Sequence, residues 1–410
     1  MADEDDKPIE DPEPELAFIA GIIKKVGPRL PGSAEERHAA EILKEDISRV
    51  AGAPAVIEEF TCATKASIGF IPVLGYSLLF VVGPLSFVFP LITGLAIGFF
   101  LFFALVQIFK YLAWFDVIFP KSRSQNVITT VEPRSGKVKS TIVLCAHIDS
   151  SWHSSLIYKT PGQARPKLIT GIISAAVFGL IQLVRGIMEF PALIASGWNW
   201  WNLAVIPFLP GFYFIFQYLS WNKKVASPGA MDDLAGIAIA RWLAGHFRAH
   251  PELAPADCRL VYAFVGCEEA GLKGSQAFVA KHRDGLLAGN CSVIILDGIS
   301  DFDYFHVVKG DAWLGTNYDP RLVAMADEVM TSLGIKHDVI KNPEGSTDGA
   351  SFSRAGIRVV GIAAQDPGPA SNYHTMGDVP ERIDKRVVVL MKKIVLELVN
   401  RIAAANDSTA

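Results

Sequence analysis

Residues 66–109 carry no charged side chain at all, a run of about 44 positions. About 20 apolar residues are enough for a helix to cross a bilayer, so a run of this length predicts two spans joined by a tight turn. Gly83–Pro84 and Phe89–Pro90 are the two places where such a turn fits. A pair of buried core helices is the soluble alternative, and so long a charge-free run argues against it. A second hairpin is expected further on. Residues 168–184 and 202–221 are each long enough to span, and the segment between them has only Arg185 and Glu189 as charges. Trp198, Trp200 and Trp201 crown that turn, as aromatic residues do at a membrane interface. Composition agrees: half the residues are hydrophobic and 20% are charged, against about 25% in ordinary soluble chains.

The remaining sequence has soluble character. The chain is expected to divide into an acidic, disordered tail (1–14), a first piece of soluble domain (15–65), hairpin 1 (66–110), a second piece (111–165), hairpin 2 (166–221) and a third piece (222–410). Helices are predicted over 15–26, 34–50, 271–281, 319–333 and 383–404, and strands over 55–61, 261–265, 291–297 and 357–363. STIVLCAHIDS adds a strand ending at His147, and PGAMDDLAGIAIARWLAGHF reads as a loop feeding a helix. Strands alternating with helices predict an α/β fold, a sheet covered by helices on both faces.

Because each hairpin leaves and returns on one side, all the soluble pieces share a compartment. Lys65, Lys110, Lys121, Arg123, Lys159, Arg165, Lys167, Lys223 and Lys224 flank the spans on that side. Positive flanks face the cytoplasm, so a multi-pass protein of an inner or plasma membrane is expected, with its soluble domain cytoplasmic and the lipid bilayer as a partner. Residues 1–14 lack the basic and then apolar pattern of a cleaved leader. Cys62, Cys145, Cys258, Cys267 and Cys291 are scattered, without a CxxC pair, and read as reduced thiols. A net charge of −4 offers no basic field, so no nucleic-acid partner is expected.

Chemistry concentrates in VYAFVGCEEAGLKGS (261–275). An apolar, β-prone run ends at Gly266 and two adjacent carboxylates, Glu268 and Glu269, follow on the turn. Open α/β sheets place ligands at the carboxyl ends of their strands. On a turn, one carboxylate can face a metal while its neighbour acts as general base. An isolated Glu-Glu pair is ordinarily a solvated acidic turn, but four more candidates occupy comparable strand ends or loops: His147, Asp232, Asp297 and His374. With Glu269 they make two histidines and three carboxylates, a set suited to two divalent ions sharing one bridge.

AHIDS (146–150), PGAMDDLAG (228–236), CEEAGLKGS (267–275), ILD (295–297), STDGASF (346–352) and YHT (373–375) resemble the ordered motifs of the co-catalytic zinc aminopeptidases, the clan MH metallopeptidases. That family includes bacterial leucyl aminopeptidases, glutamate carboxypeptidase and the non-catalytic transferrin receptor. GPRLPGS (27–33) is similar to the family's N-terminal loop, and the resemblance covers nearly everything outside the four spans. It implies the zinc-exopeptidase, phosphorylase/hydrolase-like fold, a mixed β-sheet sandwiched by helices, here with two inserted hairpins. It also implies two Zn2+ ions, with other divalent metals able to use the same ligands. His147 and Asp297 would bind one ion, Glu269 and His374 the other, and Asp232 would bridge them. In the family the bridging Asp precedes an unusual cis peptide and stands four positions before a Gly, a register that Asp232, Asp233 and Gly236 fit. Glu268 would be the general base, Asp149 the carboxylate that orients His147, and Tyr373 a donor to the oxyanion. The expected activity is that of a membrane-anchored exopeptidase, an aminopeptidase acting on peptides.

Two other readings share the fold. A glutaminyl-cyclase-like aminoacyltransferase has an acidic Glu-Glu turn and an HTM tripeptide like 374–376, but works with one zinc. A silent receptor or scaffold needs none of the ligands. Met231 and Ala235 depart from the family pattern without being ligands. The insertion between His147 and Asp232 is the larger departure, and it predicts a site opening near the membrane surface. Among the remaining histidines, His38, His246, His250 and His282 are expected on exposed helix faces and His306 and His337 in strands, while His153 could line the cleft.

Overall fold

The structure is a computed structural model that describes residues 7–66, 70–189, 200–219, 221–343, 345–366 and 372–407. Its described strands are β1 (Ala55–Cys62), β2 (Ser122–Val131), β3 (Ser140–His147), β4 (Trp152–Ser154), β5 (Trp221–Ala226), β6 (Cys258–Val265), β7 (Cys291–Ile299), β8 (Phe305–Asp311), β9 (His337–Asn342) and β10 (Arg358–Ala364). Eight of them form one mixed sheet in the order β1-β2-β6-β3-β7-β10-β8-β9, and β4 pairs with β5 in a small ribbon. At the centre β6, β3, β7 and β10 run parallel, whereas β1, β2 and β8 are antiparallel to their inner neighbours.

Side-chain alternation explains why the sheet is covered on both faces. Ile142, Leu144 and Ala146 of β3 point into one core with Leu260, Tyr262 and Phe264 of β6. Val143 and Cys145 point the other way, with Val261, Ala263 and Val265. All eight residues of β3 are buried, the run of apolar sequence that a central parallel strand requires. Helices Glu13–Val26, Ala34–Ala51, Ala235–Ala249, Pro320–Ser332 and Lys385–Asp407 cover the first face through Ile19, Leu43, Leu243, Val329 and Val395. Helices Lys273–His282 and Gly349–Arg354 cover the second through Phe278 and Phe352. The expected α/β sandwich is therefore present.

Four apolar helices form two hairpins outside this sandwich. Two are long and apolar enough to cross a membrane, Pro90–Phe109 and Pro161–Met188; Ile71–Leu85 and Trp201–Gln217 are shorter. The expectation of four full spans is thus only half met by length. About 15 residues of helix reach about 22 Å, against about 30 Å of hydrocarbon. Prolines set these limits: the first hairpin turns just after Pro84 and restarts at Pro90, and Pro207 lies inside a 3-10 stretch, Trp200–Phe208. The hairpins touch where glycine permits. A Cβ on Gly94 would lie 2.7 Å from the Leu183 backbone nitrogen, and one on Gly186 2.5 Å from Leu91 Cα, the close backbone approach by which helices associate in lipid. The outward faces are hydrocarbon, with Phe80, Leu95, Phe99, Ile173 and Leu180 all exposed. At the far turn, Arg185 is buried, donating to the Ser86 carbonyl at 3.2 Å and to Glu189 Oε1 at 3.2 Å. Trp198 lies outside the described residues.

The acidic N-terminal segment differs from expectation. Lys7–Glu10 is helical and the next helix begins at Glu13, not 15. Lysines of the closing helix hold this segment down: Lys392 Nζ donates to the Asp11 carbonyl at 2.7 Å and pairs with buried Glu15, and Lys393 and Lys385 pair with Glu10 and Glu13. Residues 1–6 lie outside the described part.

Candidate metal centre

Three neighbouring parallel strands end together and bring the candidates to one edge. His147 closes β3, Asp297 lies near the end of β7, and Glu268 and Glu269 follow β6. Asp232 comes from the loop before helix Ala235–Ala249, and His374 from the segment after β10. His147 Nε2 stands 2.9 Å from Asp232 Oδ1 and 3.9 Å from Asp297 Oδ1, and His374 Nε2 stands 3.3 Å from Asp232 Oδ2 and 3.1 Å from Glu269 Oε1. The side chains thus form two triads, His147–Asp232–Asp297 and Asp232–Glu269–His374, each with ligand atoms within 4.8 Å of one another. They share Asp232, which turns one oxygen toward each. All five residues expected as ligands converge, and Glu268 lines a cleft of about 180 Å3 together with Asp232, Glu269, Asp297 and His374.

The local backbone is shaped to hold them there. The peptide between Asp232 and Asp233 is cis. Asp233 turns away from the triads and accepts from the His147 N–H at 3.1 Å and the Gly236 N–H at 3.1 Å. A Cβ on Gly236 would fall 2.4 Å from the Leu296 carbonyl oxygen, so no larger residue fits between Asp233 and β7. His374 and Cys267, the residue before Glu268, both have left-handed φ, +51° and +54°. Such strain in non-glycine residues survives only where its surroundings fix it.

Buried carboxylates supply that fixing around the glutamate turn. Glu36 accepts from the Cys267 N–H at 2.9 Å, and Asp149 accepts from the Glu268 and Glu269 N–H groups at 3.0 and 3.1 Å. Three consecutive amides are thereby held by two acids, one on helix Ala34–Ala51 and one in the loop after β3. Glu36 also closes the start of its helix: its N–H donates to the N-cap Ser33 Oγ at 3.0 Å, and its Oε2 accepts from the N–H of Gly32, one residue before the cap, at 2.9 Å. The expected role of Asp149 changes accordingly. His147 Nδ1 meets the Asp149 backbone carbonyl at 3.0 Å and its Oδ1 only at 3.6 Å, because the Asp149 carboxylate is taken up by the glutamate turn.

Arg29 and Asp378 bind the remaining loops. Fully buried, Arg29 donates to the Ile148, Pro228 and Gly229 carbonyls at 2.7, 2.8 and 2.9 Å, clamping the loop after β3 to the loop of Asp232. Asp378 accepts from the Met231 N–H at 2.7 Å. Neither residue nor Glu36 was expected from the sequence. A capping pattern at 33–36 was the one local signal.

Tyr373 lines the cleft with its ring stacked on His374, centroids 3.8 Å apart. His153 is buried and accepts from the Met376 N–H at 3.1 Å, away from the cleft lining, while His306 does line it and contacts the Gln365 carbonyl at 3.1 Å. His246 is a correction. It is buried rather than exposed, stacked on Trp242 with centroids 5.0 Å apart.

The electrostatics show a site short of positive charge. Burial drives the Glu268 carboxyl well above the ordinary range, and the nearby charges of Asp348, Glu269 and Asp297 add to it against the pull of His147. Burial and the charges of Asp232, Asp348 and Glu269 push Asp297 up to about 7 despite His147. Burial alone would lower the His374 imidazole, but Glu269 and Asp232 outweigh it and raise it to about 10. Asp232, although burial opposes its charge, is held below the ordinary range by its hydrogen bonds to His147 and His374. More buried carboxylates than imidazoles, in two oxygen–nitrogen triads without sulfur, is the donor chemistry that hard and borderline divalent cations fit.

Residues 218–399 match the profile of Peptidase family M28. The match covers the last part of the soluble sequence, less than half of the chain. It contains Asp232, Glu268, Glu269, Asp297 and His374, whereas His147, Asp149 and Arg29 precede it. No curated protein matches the chain in sequence. Its fold is similar to a zinc aminopeptidase from Bacillus subtilis (TM-score 0.56, 13% identity, 95% of each chain covered) and to an aminopeptidase from Aneurinibacillus sp. strain AM-1 (0.56, 15%, 97% of this chain and 95% of that one). It is similar as well to a glutaminyl cyclase from Fimbriiglobus ruber (0.55, 14%, 95% and 94%). At these identities the likeness is one of fold. The matched profile is that of a peptidase family, and the fold is one that zinc aminopeptidases and glutaminyl cyclases share.

Proposed function

We propose that the chain is a membrane-anchored, zinc-dependent aminopeptidase in which Glu268 is the general base. The observation that carries this reading is the sharing of Asp232 between two triads, with Glu268 beside them in the same cleft. His147 and Asp297 would hold one divalent ion, Glu269 and His374 a second, and Asp232 both. Bound there, such ions polarise a carbonyl and acidify water. The chain's own groups do the rest. Glu268 takes a proton from the attacking water, whose hydroxyl adds to the peptide carbonyl carbon. As the C–N bond breaks, Glu268 returns that proton to the leaving amine. Tyr373, at the cleft wall, donates to the oxygen on which negative charge develops. Asp149 and Glu36 keep the glutamate turn in place through its amides.

The four apolar helices are the anchor, and the lysines and arginines flanking them favour a cytoplasmic peptidase domain. The glutaminyl-cyclase alternative is supported by fold, but two triads with a common carboxylate suit two ions better than one.

Metal-loaded protein in detergent should release free amino acid from aminoacyl-anilides and bind about two metal ions per chain. Glu268→Gln should lower kcat on the order of a hundredfold to ten-thousandfold with metal content unchanged, and undiminished turnover would remove Glu268 from the mechanism. One ion per chain, with cyclisation of N-terminal glutamine in place of hydrolysis, would favour the cyclase.

A further inference from the structure

A second cavity, of about 150 Å3, lies among the apolar helices next to the cleft. All four helices build it: Leu78 from the first, Phe100 from the second, Ile172 from the third and Ile215 from the fourth. Every lining side chain is hydrocarbon apart from the indole of Trp313, which reaches in from the loop after β8. Ile71, Ile108 and Trp313 line this cavity and the cleft of Asp232 and Glu268 alike, so the two are neighbours across one shared wall. Trp313 is fixed in that wall by Phe109, whose ring centroid lies 4.8 Å away.

Such a space selects its occupant. It offers water almost no hydrogen-bond partner, and a dry apolar cavity of this size holds a hydrocarbon of about six carbons. A peptide segment placed there would leave its amides unpaired. A molecule that fills both spaces must therefore be polar at one end and hydrocarbon at the other.

We infer that the cavity is the tail-binding half of the substrate site, and that the preferred substrates are peptides or aminoacyl amides bearing one linear hydrocarbon chain close to the scissile bond. This rests on the aminopeptidase reading and names its substrate class. The polar end lies against Glu268 and the triads; the tail crosses between Ile71, Ile108 and Trp313 into the helix bundle. Hydrolysis is the reaction already described, with the alkyl group a spectator.

Alanyl-alkylamides from ethyl to dodecyl, hydrolysed by the full chain in lipid nanodiscs, test this. The value of kcat/KM should rise by up to about fourfold per methylene, the worth of a buried CH2, and level off near six carbons. Filling the cavity with Ala104→Leu and Ala175→Leu, two of its lining positions, should bring the dodecyl-to-ethyl ratio down toward one. Hydrolysis of all amides at one rate by the unaltered chain would overturn the tail site and leave the peptidase standing. No hydrolysis of any amide by zinc-loaded protein would instead strike the peptidase reading. The tail site is then judged by binding, with the Glu268→Gln chain and an alanyl-dodecylamide brominated at its free end. Saturable quenching of indole fluorescence is expected, and it should disappear in Trp313→Phe and in the filled variant. Quenching that never saturates, as for a chain merely dissolved in the bilayer or excluded by a resident lipid, would overturn the inference.

Discussion

The sheet domain and the helical hairpins of this chain are held together by different physics. Around the metal centre, order comes from directional polar contacts over long sequence separations. Arg29 reaches three carbonyls on two distant loops, and Glu36 and Asp149 hold three amides of the glutamate turn. Among the hairpins the contacts are steric, with glycines such as Gly94 and Gly186 letting backbones meet and hydrocarbon facing outward. The first region tolerates almost no change of donor or acceptor; the second tolerates changes of identity but few changes of size.

The largest expected effect tests the shared carboxylate. Asp232→Ala should strip both ions and lower kcat on the order of a thousandfold or more, whereas His374→Ala should release one. Equal metal content in the two variants, measured by elemental analysis, would show that Asp232 is no bridge. Next, Arg29→Ala takes away the guanidinium donor of the Ile148, Pro228 and Gly229 carbonyls, and of these only Gly229 keeps another, the Leu234 N–H. A loss of about 3 kcal/mol in stability of the sheet domain and a tenfold to hundredfold loss of metal affinity are expected, with the helical signal of the hairpins intact. If the hairpins unfold as well, the two regions are one cooperative unit. Gly94→Leu reverses the experiment. Its side chain meets the Leu183 backbone, so the bundle should lose about 1–3 kcal/mol while the metal count stays the same.

The smallest effect concerns His246. Burial lowers its pKa, and the charge of His250 lowers it further against Glu252. Its folded pKa thus lies below the unfolded value of about 6.5, so the unfolded chain binds the proton more readily and stability is lost as pH falls below that value. His246→Phe should flatten the decline in melting temperature between about pH 7 and pH 5.5.

How much of this was legible in the sequence follows from the same contrast. The convergence of these residues was legible because each ends a strand or opens a loop within a short motif, and the family resemblance set Asp233 apart from Asp232. The positioning residues were not, since Arg29 finds its acceptors 119 to 200 residues away and Asp378 its donor 147 residues away. Asp149 was expected to meet His147 through its carboxylate, whereas its backbone carbonyl lies nearer, at 3.0 Å, and its carboxylate accepts from the amides of the glutamate turn. His246 was missed because the ring of Trp242, four residues before it, stacks on its imidazole and covers it. In the apolar run, absence of charge pointed to the hairpin, but only the prolines in three dimensions show that one of its two helices stops short.

The sharing of ligands across an insertion also sets an order on the making of the protein. His147 leaves the ribosome before the second pair of apolar helices, and Asp232, Glu269, Asp297 and His374 leave after it. No nascent chain can therefore complete either triad until that pair has been synthesised, so the shared carboxylate comes into place only in a polypeptide that already carries all four apolar helices.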